Sequence, residues 1–412
     1  MKILTITSHV SSNALPCFQR NKTGFGYMVY DIISAFAENN DVDVLVYYYR
    51  YKNLTLNNAH YIGNSYCKIL SNIFSCLPVI YLISHLCRYP VSKGAVARVV
   101  YCWLLTGYYK SIIKKGKYDV VHIHGCSIYN ELWIQVCKKQ KQKYVVTLHG
   151  LNSFSESIKI SAIEKRYEKD FLHDVVLNKH HITVISTGIK NKILKHENVT
   201  QSDNISVVCN SFDFGEFDSN TYDIRARYGI PNDAIIVLYI GNISLNKNQR
   251  QMVDSFPLLN SNIREKTYVL FIGRPGSGED DILELIKFSP YKDHLICCGE
   301  VDKFYVPFYY KEASAVVLLS ISEGFGLSLV EGMCFGVPCM AFTDLDAFED
   351  IYNPCAMVGI PSRTNHDVAK ALENLLGKDW NKDEIEQYSK KFNRKTMVSN
   401  YMMVFRKINE QL

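Results

Sequence analysis

The stretch Glu323-Gly324-Phe325-Gly326-Leu327-Ser328-Leu329-Val330-Glu331-Gly332-Met333-Cys334-Phe335-Gly336-Val337-Pro338 follows the apolar run Ala315-Val316-Val317-Leu318-Leu319 after three residues. The run has the length and β-branched content of a strand buried on both faces. Glycines at 324 and 326 then permit a sharp turn and a close approach of the main chain to a ligand. A helix is predicted from about Leu327. Strand, glycine turn and helix make up the repeating unit of α/β sheets covered by helices. The free N–H groups and positive dipole end of the helix suit an anion such as a diphosphate.

Read outward, the alternation recurs along the chain. Strands are predicted over 2–7, 42–48, 120–123, 144–148, 182–185 and 205–208, with helices over 27–38, 130–138 and 157–177. Beyond these, strands over 235–240, 268–272, 295–298, 315–319 and 338–341 alternate with helices over 248–258, 280–288, 304–311 and 327–335. Two successive β/α series in 412 residues imply two Rossmann-like domains, 1–212 and 213–390, linked near 210–218. Sheets of this kind bind ligands at the carboxyl ends of their strands, so an interdomain cleft is expected. The tail over 383–411 has a helical pattern carrying Tyr388, Phe392, Met397, Tyr401, Met402 and Phe405.

Composition sets the limits. Apolar residues at 47% against 21% charged are enough for two cores and argue against disorder. The 13 cysteines are scattered without zinc spacing, and the chain enters a strand directly after Met1, which together predict reduced thiols in a cytosol. Up to Phe212 there are 25 Lys and Arg against 13 Asp and Glu; beyond it, 21 against 28, so a half of charge +12 precedes a half of −7. No nucleic-acid motif accompanies this asymmetry, which fits an anionic membrane surface or a phosphate-bearing acceptor better. The segment 66–117 breaks the alternation with apolar runs interspersed by Lys68, Arg88, Lys93, Arg98, Lys110, Lys114, Lys115 and Lys117. Each run is too short to span a bilayer. Two readings stand open: helices lying on a membrane, and buried helices of an enlarged first domain.

Glu323 in the glycine turn and Glu331 in the helix after it can face one site. Paired carboxylates serve as an acid/base pair or as acceptors for vicinal hydroxyls, and Glu331 could also simply cap its helix. The sequence from Glu323 to Pro338 closely resembles the donor-site signature of glycosyltransferase family 4, a group of retaining enzymes of GT-B fold. The resemblance covers nearly the whole chain. Tyr239-Ile240-Gly241-Asn242-Ile243-Ser244-Leu245-Asn246-Lys247-Asn248 resembles the family's donor-diphosphate loop, and Phe271-Ile272-Gly273-Arg274-Pro275-Gly276 its next strand and turn. Asp119-Val120-Val121-His122-Ile123-His124-Gly125, Val145-Val146-Thr147-Leu148-His149-Gly150 and Val208-Cys209-Asn210-Ser211-Phe212-Asp213 match landmarks of the first domain.

The resemblance implies two facing Rossmann-like domains of GT-B type: 1–212 on the acceptor side, 213–390 for the nucleotide-sugar, and 391–412 as a helix crossing back. Glu323 would bind hydroxyls of the transferred sugar, Lys247 the diphosphate, and Glu331 the ribose. Gly324, Phe325, Gly326 and Leu327 would offer amides; Gly241, Asn242, Gly273, Arg274 and Val301 would complete the donor site. His149 would face the reacting centre, and Gly24, Phe25 and Gly26 the acceptor side. Asn242 stands where the family usually has Arg, removing a cation that Arg274 or Arg250 could replace. The implied activity is metal-independent, retaining transfer of a hexose-type sugar from a nucleotide diphosphate-sugar, UDP-sugar favoured, to a glycan or lipid-linked glycan. The expected setting is bacterial surface polysaccharide synthesis, in the cytoplasm or on the inner membrane face. No cofactor beyond the co-substrate is implied, and Asp344-Leu345-Asp346 and Asp41-Val42-Asp43 read as surface loops rather than metal sites. The alternatives are a silent glycan-binding or scaffolding subunit and a nucleotide-sugar epimerase.

Overall fold

Continuous apolar runs in the sequence become parallel strands buried on both faces in the computed structural model, which describes residues 1–12, 18–19, 23–154, 160–212, 222–274, 276 and 279–410. The chain divides into two units. Unit 1 comprises Met1–Ile185, Ile189–Val208 and Met397–Leu412; unit 2 comprises Ser186–Gly188 and Cys209–Thr396. The linker placed at 210–218 lies outside the described residues from 213 on.

Among the described residues unit 1 holds eight strands: β1 (Lys2–Thr7), β2 (Asp41–Val46), β3 (Leu54–Leu56), β4 (Ala59–Tyr61), β5 (Val120–His124), β6 (Tyr144–Leu148), β7 (Ile182–Val184) and β8 (Ile205–Val207). Their order is β3-β4-β2-β1-β5-β6-β7-β8, parallel except for the β3–β4 hairpin. That hairpin was not predicted; Asn57 and Asn58 make its turn with positive φ, which Asn tolerates better than most residues. Ile3, Val44, Val120 and Val145 pack with Val29, Ile32, Ile33 and Phe36 of helix Gly24–Ala37. The same core takes Met397, Tyr401, Phe405 and Ile408 of helix Arg394–Glu410. Helix Gly24–Ala37 begins three residues before the predicted start, because the Thr23 hydroxyl accepts the Gly26 N–H at 2.9 Å.

Unit 2 holds β9 (Ile235–Ile240), β10 (Thr267–Ile272), β11 (Leu295–Gly299), β12 (Ala315–Leu318), β13 (Cys339–Phe342) and β14 (Met357–Ile360), the last of them unpredicted. The order β11-β10-β9-β12-β13-β14 is wholly parallel. The chain winds outward from β9 in one direction and then returns to build in the other, so loops after β9 and β12 part at a switch point, where such sheets bind ligands. In unit 1 the corresponding neighbours are β1 and β5.

The 66–117 segment differs in burial from one helix to the next. Helix Lys93–Gly116 buries Val99, Cys102, Leu105, Tyr109 and Ile113, whereas helix Val79–Arg88 buries His85 alone. Among the described residues no helix is long and apolar enough to cross a membrane.

Candidate functional site at the switch point of unit 2

The loops after β9 and β12 are tied to each other by side chains that bond main chain. The Asn246 amide donates to Ser322 C=O at 2.9 Å, its Oδ1 accepts Ser322 N–H at 3.2 Å, and its own carbonyl accepts Ile321 N–H at 2.8 Å. The Tyr239 hydroxyl, rooted in β9 and fully buried, accepts Leu319 N–H at 2.9 Å and donates to Lys247 C=O. Burial pushes its phenol far above the ordinary range, so it stays a neutral strap. Gln249, also fully buried, donates to the carbonyls of Gly241 and Asn242 at 3.3 and 3.0 Å and accepts Ser244 N–H at 3.2 Å.

These straps bring Lys247 and Glu323, far apart in sequence, into an ion pair, and the Ser320 hydroxyl donates to the same carboxylate oxygen at 3.3 Å. The two side chains are 24% and 20% exposed, shielded enough for charge to act yet reachable from solvent. An ammonium and a carboxylate here can exchange each other for a phosphate and a hydroxyl pair.

Gly326 caps helix Leu327–Met333 at φ +88°, a conformation strained for any side chain. The Phe325 ring is buried edge-on against Phe392, with centroids 5.8 Å apart, which leaves its main chain as the group it can offer. Gly324 lies half-buried before it. Glu331 is the fifth residue of the helix, beyond the orphan amides of the first turn, and accepts a hydrogen bond from the Tyr310 hydroxyl at 2.6 Å. The idea that it caps its own helix is therefore corrected. Helix Leu327–Met333 is also shorter than predicted, as Gly336 at φ +67° closes it.

The Gly273 N–H bonds Gly299 C=O at 2.9 Å, and a Cβ at Gly273 would stand 2.0 Å from Gly241 O, so the turns after β9 and β10 need this glycine to nest. The Arg274 carbonyl accepts Ile243 N–H at 3.0 Å, but its guanidinium pairs with Glu300 at 3.4 Å. Arg250 pairs with Asp254 at 3.4 Å. Asn242 is exposed, and Val301 lies half-buried in the loop after β11.

A second cation packed on the β12 loop is one the sequence did not flag. Arg363 donates to Ser320 C=O at 3.1 Å and Ile321 C=O at 3.3 Å, and holds Asp344 at 2.8 and 3.0 Å. It follows β14, so missing that strand hid it; the apolar run Met357–Ile360 was the available signal. Tyr239, Gln249 and Tyr310 were likewise missed, since each reads as core or polar surface. Asp346, expected on the surface, is 8% exposed. Asp43 also departs from that expectation, half-buried under the Tyr118 hydroxyl at 2.5 Å, while Asp41 pairs with Lys2 at 3.4 Å. Among the described residues no group of three or more His, Cys, Asp or Glu is placed to hold a metal ion.

In unit 1, His149 stands just past β6 and shares a 3.0 Å hydrogen bond with His124 from β5, the rings stacked 5.2 Å apart. His122 packs on His124 at 4.1 Å and shares a 2.6 Å bond with Thr147. Burial depresses His122 and His149 to about 3 and His124 below the usual range, so all three are neutral near pH 7. Phe25 meets the His149 ring edge-on at 5.1 Å. Gly24, Phe25 and Gly26 form the first helical turn rather than a linker before it. Gly24 faces open space, whereas a Cβ at Gly26 would fall 2.2 Å from Ser11 Oγ, so close approach demands glycine at 26 only.

Residues 23–216 match the family Glycosyltransferase Family 4, and residues 220–392 match Glycosyl transferases group 1. An O-antigen chain mannosyltransferase B from Escherichia coli is 22% identical over 58% of this chain and 63% of its own length, so the chain spans less than two thirds of that relative. An alpha-monoglucosyldiacylglycerol synthase from Acholeplasma laidlawii is 25% identical over 73% of this chain and 79% of its own. Among solved structures, the Anabaena HepE protein in complex with UDP superimposes with a TM-score of 0.68 at 13% identity, covering 99% of this chain and 100% of that one. The two parallel α/β units have the GT-B fold. With both halves matched, the chain belongs to glycosyltransferase family 4.

Proposed function

We propose that the chain transfers a hexose-type sugar, with retention and without a metal, from a nucleotide diphosphate-sugar to a glycan or lipid-linked glycan. The observation that carries this reading is the Lys247–Glu323 pair held at the carboxyl ends of β9 and β12. A donor would separate the pair: Lys247 moves to the diphosphate, whose charge grows as it leaves, and Glu323 accepts hydroxyls of the sugar. Main-chain amides at Phe325, Gly326 and Leu327 bind phosphate and sugar, and Glu331, oriented by Tyr310, takes the ribose. Gly241, Asn242, Gly273 and Arg274 shape the diphosphate turn, and Val301 contacts the base. Unit 1 supplies the acceptor side through the first turn of helix Gly24–Ala37 and the neutral His149.

In the step itself the acceptor hydroxyl attacks the anomeric carbon from the face the diphosphate leaves. The C–O bond to phosphate breaks, the new glycosidic bond forms, and the leaving phosphate oxygen takes the hydroxyl proton. No protein base is then required, which accords with imidazoles whose basicity burial depresses. UDP is the favoured carrier, as in the complex of the HepE relative. The O-antigen and glycolipid names of the two relatives support a lipid-linked acceptor and surface polysaccharide synthesis, work expected on the cytoplasmic side of a membrane.

Binding and slow hydrolysis of UDP-, GDP- and ADP-sugars without metal test this, with Glu323→Ala and Lys247→Ala alongside. Selective binding and hydrolysis lost in both variants is the expected result. Asn242 gives the silent-subunit reading its foothold, and absence of binding to every donor would decide for it; a changed free nucleotide-sugar without acceptor would indicate an epimerase.

A further inference from the structure

Between Asp43 and Asp119 the chain runs for 75 residues with ten Lys and Arg and no Asp or Glu. A surface helix usually turns its apolar side inward, but within this segment helix Val79–Arg88 leaves several of its apolar residues exposed. Its inward side mixes half-buried Leu82 and Leu86 with polar groups. The Tyr81 hydroxyl donates to Glu131 at 3.4 Å, the Tyr89 hydroxyl at the helix end donates to Asp170 at 3.0 Å, and buried His85 lies against both rings. Its outward side carries Val79, Ile80 and Ile83, exposed to 57, 71 and 52%. The turn before it adds Leu70, Ile73 and a fully exposed Phe74. An exposed apolar ridge of this kind marks an interaction site.

Cations bound the ridge. Arg88 and Lys93 stand at one end. At the other, Lys110 and Lys114 follow Gly107 at helical i+3 and i+7 spacing, and Gly107 lies directly against Asn72 and Cys76 of the turn bearing Phe74. The nearby acids are already engaged: Asp170 pairs with Arg88 at 3.1 Å, and Glu131 accepts from Tyr81, Tyr167 and Gln135. A shallow apolar ridge rimmed by cations is complementary to a bilayer interface carrying anionic headgroups.

We propose that this face docks on an anionic lipid surface, with Phe74, Ile80 and Ile83 entering the headgroup–acyl boundary and Lys93, Lys110 and Lys114 meeting the phosphates. The proposal deepens the membrane-side placement above and does not depend on the sugar chemistry. Co-sedimentation with vesicles of phosphatidylcholine, alone or with added phosphatidylglycerol, tests it. Binding is expected to the phosphatidylglycerol vesicles, weakened by salt. Phe74→Asp with Ile80→Asp should lower it about tenfold or more, from loss of two buried apolar side chains. Lys93→Glu with Lys114→Glu should lower it too, and neither pair should move the melting temperature. Glu323→Ala should bind vesicles like the unaltered chain, which separates this face from the sugar site. Absent binding to phosphatidylglycerol vesicles, or equal binding by the double-Asp variant, overturns the proposal. So does a dimer in solution that the double-Asp variant breaks, which would give the face to a second copy.

Discussion

At the end of β12 a carboxylate meets an ammonium, both reachable from solvent, on loops strapped by Tyr239, Gln249 and Asn246. Past β5 and β6, by contrast, the imidazoles of His124 and His149 stack on one another with Phe25 at the edge. Both places terminate parallel strands next to a switch point, so topology alone does not distinguish them. Their chemistry does. The unit 2 site keeps opposite charges that a charged donor can rearrange, whereas burial in unit 1 strips its histidines of charge. In the proposed reaction, then, the charge development falls to unit 2, and unit 1 contributes shape and neutral hydrogen bonds.

The largest effect that would break this contrast lies at the ion pair. Glu323→Ala and Lys247→Ala should each lower transfer by roughly a hundredfold to a thousandfold, with melting little changed because both side chains are partly exposed. Initial rates with the bound donor check this, and near-normal rates would move the charge chemistry elsewhere.

Acid should expose the other side of the comparison. His122 and His149 sit at about 3 when folded, below the ordinary histidine value of 6.5, so the unfolded chain binds more protons between those pH values. Their contribution to stability is complete above about 6.5 and falls away as pH drops toward 3. Urea midpoints measured downward from pH 8 should decline with that onset, and less steeply in His149→Phe.

Tyr239→Phe removes one buried strap and leaves Leu319 N–H and Lys247 C=O short of a partner. A loss of about 1–3 kcal/mol in urea unfolding is expected. Tyr310→Phe frees the Glu331 carboxylate and should weaken donor binding about tenfold, read by calorimetry, with hydrolysis at saturation nearly unaltered. The smallest change is Asn242→Arg, which restores the missing cation at an exposed position and should tighten donor binding only about two- to fivefold.

The repeating strand–turn–helix pattern was legible because parallel strands buried on both faces must be apolar throughout, and 315–318 and 235–240 are. The edge elements β3, β4 and β14 were not: Thr55 and His60 stand exposed in β3 and β4, and Gly359 interrupts the apolar run of β14. Within the site, Glu323 and Glu331 stood out beside the glycine turn, and Lys247 through the resemblance of its loop to the family's donor-diphosphate loop. Tyr310 and Tyr239 look like core aromatics, and only their hydroxyl partners distinguish them. Arg363 sits 40 residues from Glu323 and reaches that loop solely because β14 lies beside β13, itself beside β12.

The sequence by itself determined the α/β class, the two sheets and the family, because buried strands and ligand-binding turns restrict residue type locally. What the tertiary structure alone decided was pairing and exposure. It set Lys247 against Glu323, tied Tyr310 to Glu331, neutralised the histidines, and turned Ile80 and Phe74 outward while His85 went in. Those outcomes depend on which distant strands become neighbours and how much water they exclude, which no local spacing encodes.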